Sequence, residues 1–297
     1  MAVDINVIRH LYRYDRTLPL LPTSESEAVM AMRGGAFEPV DSLARERVTF
    51  QTTHDDRVTA TVTYPAEGGP FPAIILQHGS TGLGRHMWAG RPADVEWALE
   101  HGVMAVAVDA PGFGSREQAD NRGRLMRDRP DLLFRTRDQR IQNVQDLMRT
   151  VDYLCSREDV LSDAIGFCGV SMGTRVGAPF FGLDERVRTG AFFIGGSGPY
   201  SGFEVEGTEF ADLAADERLL FDLTDPIVFA PMSAGREVIV INGTRDTVVG
   251  EGAGERLQEA FGEPKTLRWY EGDHGDVPPE SYAEAGAFLV RHLQVPA

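Results

Sequence analysis

The chain has 297 residues, of which 42% are hydrophobic, and a formal net charge of −16. This length is enough for one large domain with a buried core, and the acidity argues against nucleic acid or a membrane surface as a partner. The sequence shows no signal peptide and no apolar run of the about 20 residues that span a membrane, so we expect a cytoplasmic protein. Its two cysteines, Cys155 and Cys168, have neither disulfide nor metal-site spacing, and we expect no metal or other cofactor.

The first part of the chain, residues 1–46, is predicted to be a helical extension. Residues 7–12 have helical spacing, residues 18–22 form a break, and residues 24–32 are suited to a second helix. The main domain is predicted to cover residues 47–297.

A change of pattern at residue 47 marks the start of a sheet. Residues 47–51 and 58–64 alternate with period two around a turn at 54–56, which predicts an antiparallel hairpin. Further strands follow, several of them continuous apolar runs typical of parallel strands covered on both faces, at 73–77, 103–108, 165–170, 190–194, 238–241 and 266–270. Helical segments alternate with these strands, at 92–100, 141–154, from 226, at 255–261 and at 281–293. This alternation predicts an α/β fold with a mostly parallel, doubly wound sheet.

Two segments interrupt the alternation and are predicted to be short cap insertions, residues 115–138 and 197–224, the second with a helical stretch at 213–221. Arginines are dense in and just after the first insertion: Arg116, Arg122, Arg124, Arg127, Arg129, Arg135, Arg137 and Arg140. They suggest either a clamp for carboxylate or phosphate groups or a solvated helical insertion. The second interpretation is favoured because acidic residues are interleaved with the arginines.

The segment Gly169-Val-Ser-Met-Gly173 joins a predicted strand to a predicted helix. A serine on such a sharp turn presents its hydroxyl above the edge of the sheet, so Ser171 is the predicted nucleophile. Gly169 and Gly173 suit the turn because a side chain there would collide with a neighbouring element. The N–H of Met172 would lie at the start of the helix, unpaired and positively polarised, where it could stabilise an oxyanion.

Five loops, each directly after a predicted strand, match a known family. The matching pieces are, in chain order, His78-Gly79, the segment Asp-Ala-Pro-Gly-Phe-Gly at 109–114, the serine turn at 169–173, Gly243-Thr-Arg-Asp246 and Asp273-His274-Gly275. Over residues 47–297 the chain therefore resembles the α/β-hydrolase superfamily, and within it the carboxylesterases similar to dienelactone hydrolases and acetyl xylan esterases. The resemblance implies the α/β-hydrolase fold, esterase activity, and a loop in which His78 is structural. It also implies that Ser80 supplies the second oxyanion N–H, with Thr81 as the alternative.

A serine hydroxyl needs a neighbouring base, and histidine is the natural candidate because its pKa lies near neutral pH. Among seven histidines, His274 follows the last predicted strand in a loop that contains glycine, and it is the predicted base. Asp246, which follows the penultimate strand, is predicted to orient His274. Further along the oxyanion loop, Thr81 and His86 are candidates for the wall of the substrate pocket.

Asp225 is the alternative orienting carboxylate, although Asp225-Pro226 also has the pattern of a helix N-cap followed by proline. Asp273 and Asp276 lie too close in sequence to His274 to reach its far ring nitrogen with ease.

These features predict a serine hydrolase that cleaves carboxylic esters of small to medium size through an acyl-enzyme, with a small-molecule ester as its partner. A peptidase, thioesterase or lactonase with the same three residues is the alternative. A non-catalytic binding protein of the same fold is the hypothesis from a different class.

Overall fold

The computed structural model describes residues 5–33, 36–53, 55–117, 131–198, 223–249 and 252–293. Its strands are β1 (Thr23–Glu27), β2 (Met30–Arg33), β3 (Ala36–Pro39), β4 (Leu43–Gln51), β5 (Arg57–Pro65), β6 (Phe71–Gln77), β7 (Met104–Val108), β8 (Val160–Val170), β9 (Val187–Phe193), β10 (Glu237–Gly243) and β11 (Lys265–Tyr270). Its helices are α1 (Ile5–Leu11), α2 (Glu96–His101), α3 (Asp131–Cys155), α4 (Met172–Leu183), α5 (Pro226–Phe229), α6 (Ala253–Ala260) and α7 (Pro279–Leu293).

One sheet of nine strands dominates the described part of the chain, in the order β1-β4-β5-β7-β6-β8-β9-β10-β11. The six strands from β7 to β11 in this order are mutually parallel, whereas β1, β4 and β5 pair antiparallel at one side of the sheet. The predicted hairpin is confirmed as β4 and β5, and the predicted parallel sheet is confirmed as well. Strands β2 and β3 form a separate small hairpin.

Hydrophobic cores cover both faces of the sheet, which explains the continuous apolar runs. Successive residues of β6 point to opposite faces: Ile75 joins the core under α3 and α4, and Ile74 joins the core under α2 and α7. The first core includes Leu147 of α3, and the second includes Leu289 of α7. A helix layer on each face therefore fixes the carboxyl ends of the parallel strands at one common edge.

The N-terminal segment departs from the prediction. Helix α1 confirms a helix near residues 7–12, but the second helix predicted at 24–32 is wrong, because this stretch forms β1 and the beginning of β2. All five residues of β1 are exposed. This edge strand has no buried face, so its sequence lacks the alternation of apolar and polar residues that predicts a strand. Its pairing with the backbone of β4, reinforced by an ion pair between Arg47 and Glu25, determines its conformation instead.

The predicted cap insertions lie largely outside the described residues, and so does the predicted helix at 213–221. Residues 131–138 of the first insertion belong to α3. Arg116 is neither a solvated residue nor a clamp, because it is buried and forms ion pairs with Asp56 and Asp146. In the described ranges, none of the helices is long and apolar enough to cross a membrane.

Candidate active site

Ser171 occupies the turn between β8 and α4 in a strained conformation. Its backbone has φ 55° and ψ −111°, which places the side chain at the carboxyl edge of the sheet. A Cβ atom on Gly169 would lie 2.6 Å from the carbonyl oxygen of Gly173, and a Cβ on Gly173 would lie 2.2 Å from the carbonyl oxygen of Gln77. Both glycines are therefore required by the close approach of β8, α4 and β6, as the sequence predicts.

The structure brings Ser171, His274 and Asp246 into one hydrogen-bonded row. Nε2 of His274 lies 2.9 Å from Oγ of Ser171, and Nδ1 of His274 lies 2.7 Å from Oδ2 of Asp246. The side chains of His274 and Asp246 are 17% and 7% exposed, so the pair is shielded while the imidazole stays reachable from the cavity. A proton on Nδ1 faces the carboxylate and leaves Nε2 free to accept the serine proton.

The loop after β10 holds Asp246 in place. Its Oδ1 accepts hydrogen bonds from the N–H groups of Val248 and Val249, both at 2.9 Å, and this leaves Oδ2 for the imidazole. These bonds satisfy the carboxylate on one side and aim its other oxygen at His274.

A second carboxylate, Asp273, ties the loop of His274 to the loop of Asp246. Its Oδ1 accepts the N–H of Thr247 at 2.9 Å and the N–H of His274 at 2.7 Å. The hydrogen bond from Thr247, followed by the one from His274, lowers the pKa of Asp273 below its usual range. Asp273 thus contacts the backbone of His274 and not its ring, in agreement with the sequence argument.

Asp225, the alternative orienting residue, has other partners. Its Oδ1 accepts the N–H of Ile227 as the N-cap of α5, and its Oδ2 accepts the N–H of Gly198 at 2.6 Å. The cap interpretation of Asp225-Pro226 is therefore confirmed, and it is Asp246 that faces His274 in the structure.

His78 is completely buried at the carboxyl end of β6. Its Nε2 accepts the N–H of Ala110 at 3.1 Å, so its proton lies on Nδ1, which donates to the carbonyl oxygen of Gly79 at 2.6 Å. Burial lowers the pKa of His78, which favours the neutral ring. These contacts make His78 a support of the loop that follows β6.

Two residues that line the cavity beside Ser171 have backbone N–H groups without a partner among the described residues. Ser80 and Met172 both line it, and no hydrogen bond among the described residues engages the N–H of either one. Met172 is the first residue of α4, so its N–H has no partner within the helix. The N–H of Thr81, the alternative donor, is already bonded to the carbonyl oxygen of Gly79 at 2.7 Å.

A buried ion pair anchors the loop that carries Ser80. Asp109, at the carboxyl end of β7, accepts the backbone N–H of Arg85 at 2.7 Å and also pairs with its guanidinium. Ser115 donates to the same carboxylate through its N–H at 3.0 Å and its hydroxyl at 2.8 Å. The two loops after β6 and β7 are thereby fastened to each other behind the cavity.

The cavity above Ser171 has a volume of about 510 Å³. Thr81 lines it, but His86 does not, because His86 is exposed on a 3₁₀ turn at Gly84–Met87. Neighbouring residues of such a turn point about 120° apart, so Arg85 faces Asp109, Met87 faces the cavity and His86 faces solvent. The assignment of His86 to the pocket wall is therefore wrong.

Several residues of the cavity wall were not predicted from the sequence. They come from five separate segments and are Met87, Arg91, Val170, Ile194, Val248, Gly275, Val277 and Tyr282. The ring of Tyr282 stacks on Phe193 with centroids 4.8 Å apart, and burial raises its pKa to about 12, so it remains a neutral phenol. Among the sequence signals, only the positions of Val170, Val248 and Gly275 beside the predicted Ser171, Asp246 and His274 could have indicated a wall.

No protein-family model matches the sequence, and no curated protein matches it significantly. Solved structures do match. Acetyl xylan esterase 1 from Thermoanaerobacterium sp. JW/SL YS485 superposes with a TM-score of 0.76 at 15% identity, over 98% of this chain and 93% of that one. A cold-adapted esterase from an Arctic intertidal metagenomic library gives 0.61 at 22% identity, over 86% and 97%. A prolyl endopeptidase gives 0.67 at 16% identity, over 89% of this chain but 42% of that one.

At identities this low, the structural similarity establishes the fold alone. The chain has the α/β-hydrolase fold, as the five strand-end loops predict, and its structural neighbours include esterases and a peptidase.

Proposed function

We propose that the protein is a serine hydrolase that cleaves carboxylic esters through an acyl-enzyme. The observation that carries the proposal is the row from Ser171 through His274 to Asp246, with contacts of 2.9 and 2.7 Å at the mouth of a cavity. A nucleophile within hydrogen-bonding distance of a base, which a carboxylate orients in turn, is the arrangement that acyl transfer requires.

In the first half of the reaction, Oγ of Ser171 attacks the ester carbonyl carbon while Nε2 of His274 takes the hydroxyl proton. Asp246 stabilises the imidazolium that results and keeps Nδ1 protonated. The carbonyl oxygen becomes negative, and the N–H groups of Ser80 and Met172 stabilise that charge. Collapse of the tetrahedral intermediate breaks the bond to the alcohol, which leaves with the proton from His274.

In the second half, water replaces the alcohol. His274 takes a proton from the water as it attacks the acyl-Ser171 carbonyl, the same N–H groups stabilise the second oxyanion, and the acid departs when the proton returns to Oγ. Apart from the ester and water, these steps use only groups that the chain supplies.

Short acyl groups are the first substrates to examine. The volume of about 510 Å³ suits a small or medium ester, and two structural neighbours are acetyl xylan esterases. A peptidase of this fold is the alternative, because one neighbour is a prolyl endopeptidase. This chain covers 42% of that protein's length.

The test is hydrolysis of p-nitrophenyl acetate and of the matching p-nitroanilide by the wild-type protein and by Ser171→Ala. We expect the ester, and not the anilide, to be cleaved. In Ser171→Ala the rate should fall by about 10⁴-fold or more, with the melting temperature nearly unchanged.

Ser156→Ala is the matched control, since it removes a hydroxyl at the end of α3, where Ser156 bonds the carbonyl oxygen of Tyr153. This variant should keep the wild-type rate. Full activity of pure Ser171→Ala protein would refute the assignment of the nucleophile, and faster cleavage of the anilide would favour the peptidase.

A further inference from the structure

Ile194, directly after β9, has a backbone conformation that β-branched residues rarely adopt. Its φ is 43°, in the left-handed region, and its side chain is 4% exposed. Such a conformation is unfavourable for isoleucine and persists only where the surrounding contacts impose it.

The contacts that impose this conformation are the ones that fix the nucleophile. The carbonyl oxygen of Phe193 accepts the N–H of Ser171 at 2.9 Å and the hydroxyl of Thr174 at 2.7 Å. One residue later, the N–H of Ile194 donates to the carbonyl oxygen of Ile241 at 2.7 Å. The chain is thus tied to β8 and α4 on one side and to β10 on the other.

The residue after Ile194 is equally constrained. The carbonyl oxygen of Gly195 accepts a hydrogen bond from the side-chain amide of Asn242 at 2.8 Å. A Cβ atom on Gly195 would lie 2.1 Å from Cγ2 of Thr174, so only glycine fits. With both neighbours fixed, Ile194 cannot relax, and it is one of the residues that line the cavity.

The sheet order places Ile194 on one side of Ser171. Strand β8 lies between β6 and β9, so Ser80, after β6, and Ile194, after β9, flank Ser171 on opposite sides. In the tetrahedral intermediate the oxyanion faces Ser80 and the leaving oxygen must face His274. The remaining substituent of the carbon is the acyl group. Among the residues that line the cavity, Ile194 directly follows β9, the neighbour of β8 on the side away from Ser80, whereas His274 follows β11 at the far edge of the sheet.

We propose that Ile194 is the residue that limits the length of the acyl group. This inference rests on the proposed ester hydrolysis. The strained backbone projects the isoleucine side chain into the cavity, where it closes the space that a longer acyl chain would occupy. A smaller residue at this position opens that space, because nothing else in the segment can move to fill it.

The experiment compares wild type with Ile194→Ala on two series of substrates. One series is p-nitrophenyl esters from acetate to octanoate, and the other is acetate esters of alcohols of rising length. We expect the ratio of kcat/KM for octanoate to that for acetate to rise about 10-fold or more, and the alcohol series to keep its profile.

Ile241→Ala is the matched control, because Ile241 belongs to the same buried cluster but does not line the cavity. Its acyl profile should stay that of the wild type. Ile194→Gly provides a second readout: glycine accepts a positive φ, so this variant should melt at a higher temperature than Ile194→Ala. Position 241 lies in an extended strand, so there the order should reverse, and Ile241→Ala should melt at a higher temperature than Ile241→Gly.

An unchanged acyl profile in both Ile194 variants, with the wild type active, would overturn this inference alone. A change confined to the alcohol series would overturn the assignment to the acyl group, and Ile194→Ala melting above Ile194→Gly would refute the strain. A wild-type protein that hydrolyses neither series would overturn the proposed function and this inference with it.

Discussion

Two carboxylates at the carboxyl edge of the sheet hold different kinds of partner. Asp246, after β10, faces the imidazole of His274, and Asp109, after β7, faces the guanidinium of Arg85. The side chains of Asp246 and His274 are 7% and 17% exposed at the cavity. Those of Asp109 and Arg85 are 0% and 4% exposed behind it. Each carboxylate also accepts two backbone N–H groups from nearby loops.

The comparison shows how one local arrangement serves two purposes. An imidazole can gain and lose a proton near neutral pH, so a carboxylate that holds it at a cavity prepares it for proton transfer. A guanidinium stays charged, so a carboxylate that holds it in the core fixes a loop in position. Replacing each carboxylate by its amide should separate the two effects.

The largest effect on activity is expected from Asp246→Asn. The amide removes the charge that stabilises the imidazolium and no longer enforces the proton on Nδ1 of His274, so kcat should fall by about 10⁴-fold with little change in melting temperature. Steady-state hydrolysis of p-nitrophenyl acetate measures this loss.

Asp273→Asn is the control for that variant, because Asp273 contacts the backbone N–H of His274 and an amide oxygen can still accept it. It should keep most of the activity. Near-normal turnover of Asp246→Asn would assign the orienting role to another carboxylate, with Asp225 as the next to replace.

Asp109→Asn should act first on stability. Arg85 would remain charged and buried without its partner, which lowers the free energy of unfolding by about 3–5 kcal/mol. The loop that carries Ser80 would lose its anchor, and we expect kcat of the folded enzyme to fall by up to about 10²-fold. Urea unfolding and kinetics at low temperature measure the two effects.

The control is Asp184→Asn, a buried carboxylate paired with Arg186 just after α4, at the opposite edge of the sheet. It should lower stability and leave kcat intact. Equal losses of kcat in the two variants would show that Asp109 has no special influence on the loop that carries Ser80.

The carboxyl-end loops could be predicted from sequence because each follows a recognisable strand. Ser171, Asp246 and His274 are 75 and 28 residues apart along the chain, yet parallel strands bring their ends to one edge, so their meeting follows from the fold. The N-cap at Asp225 could also be predicted from the sequence, because its pattern, an aspartate followed by a proline, is local.

The cavity wall could not be predicted, because it depends on which side chains of distant segments face the same space. Met87 and Tyr282 come from a 3₁₀ turn and from α7, and nothing in their local sequence indicates that they meet. The positive φ of Ile194 results from hydrogen bonds to neighbouring strands. Similarly, β1 depends on pairing with β4 and has no buried face of its own.

The smallest expected effect is the contribution of His78 to the loss of stability at acidic pH. Because burial lowers the pKa of His78 in the folded state, the unfolded chain takes up this proton first, as pH falls through about 6.5, the ordinary histidine value. The free energy of unfolding should therefore decrease from pH 7.5 to pH 5.5. The decrease should be smaller in His78→Asn, and urea unfolding at the two pH values measures it. An identical decrease in both proteins would show that His78 does not titrate on unfolding.

The most direct test of the account is covalent labelling with a fluorophosphonate, which reacts with an activated serine. Mass spectrometry of the wild-type protein should find one adduct, on the peptide that contains Ser171, and the adduct should be missing from Ser171→Ala. Labelling of His274→Ala should be slower by orders of magnitude, because the hydroxyl then lacks its base at 2.9 Å. No adduct on folded wild-type protein, or an adduct at another serine, would contradict the proposal that this row of residues is a catalytic site.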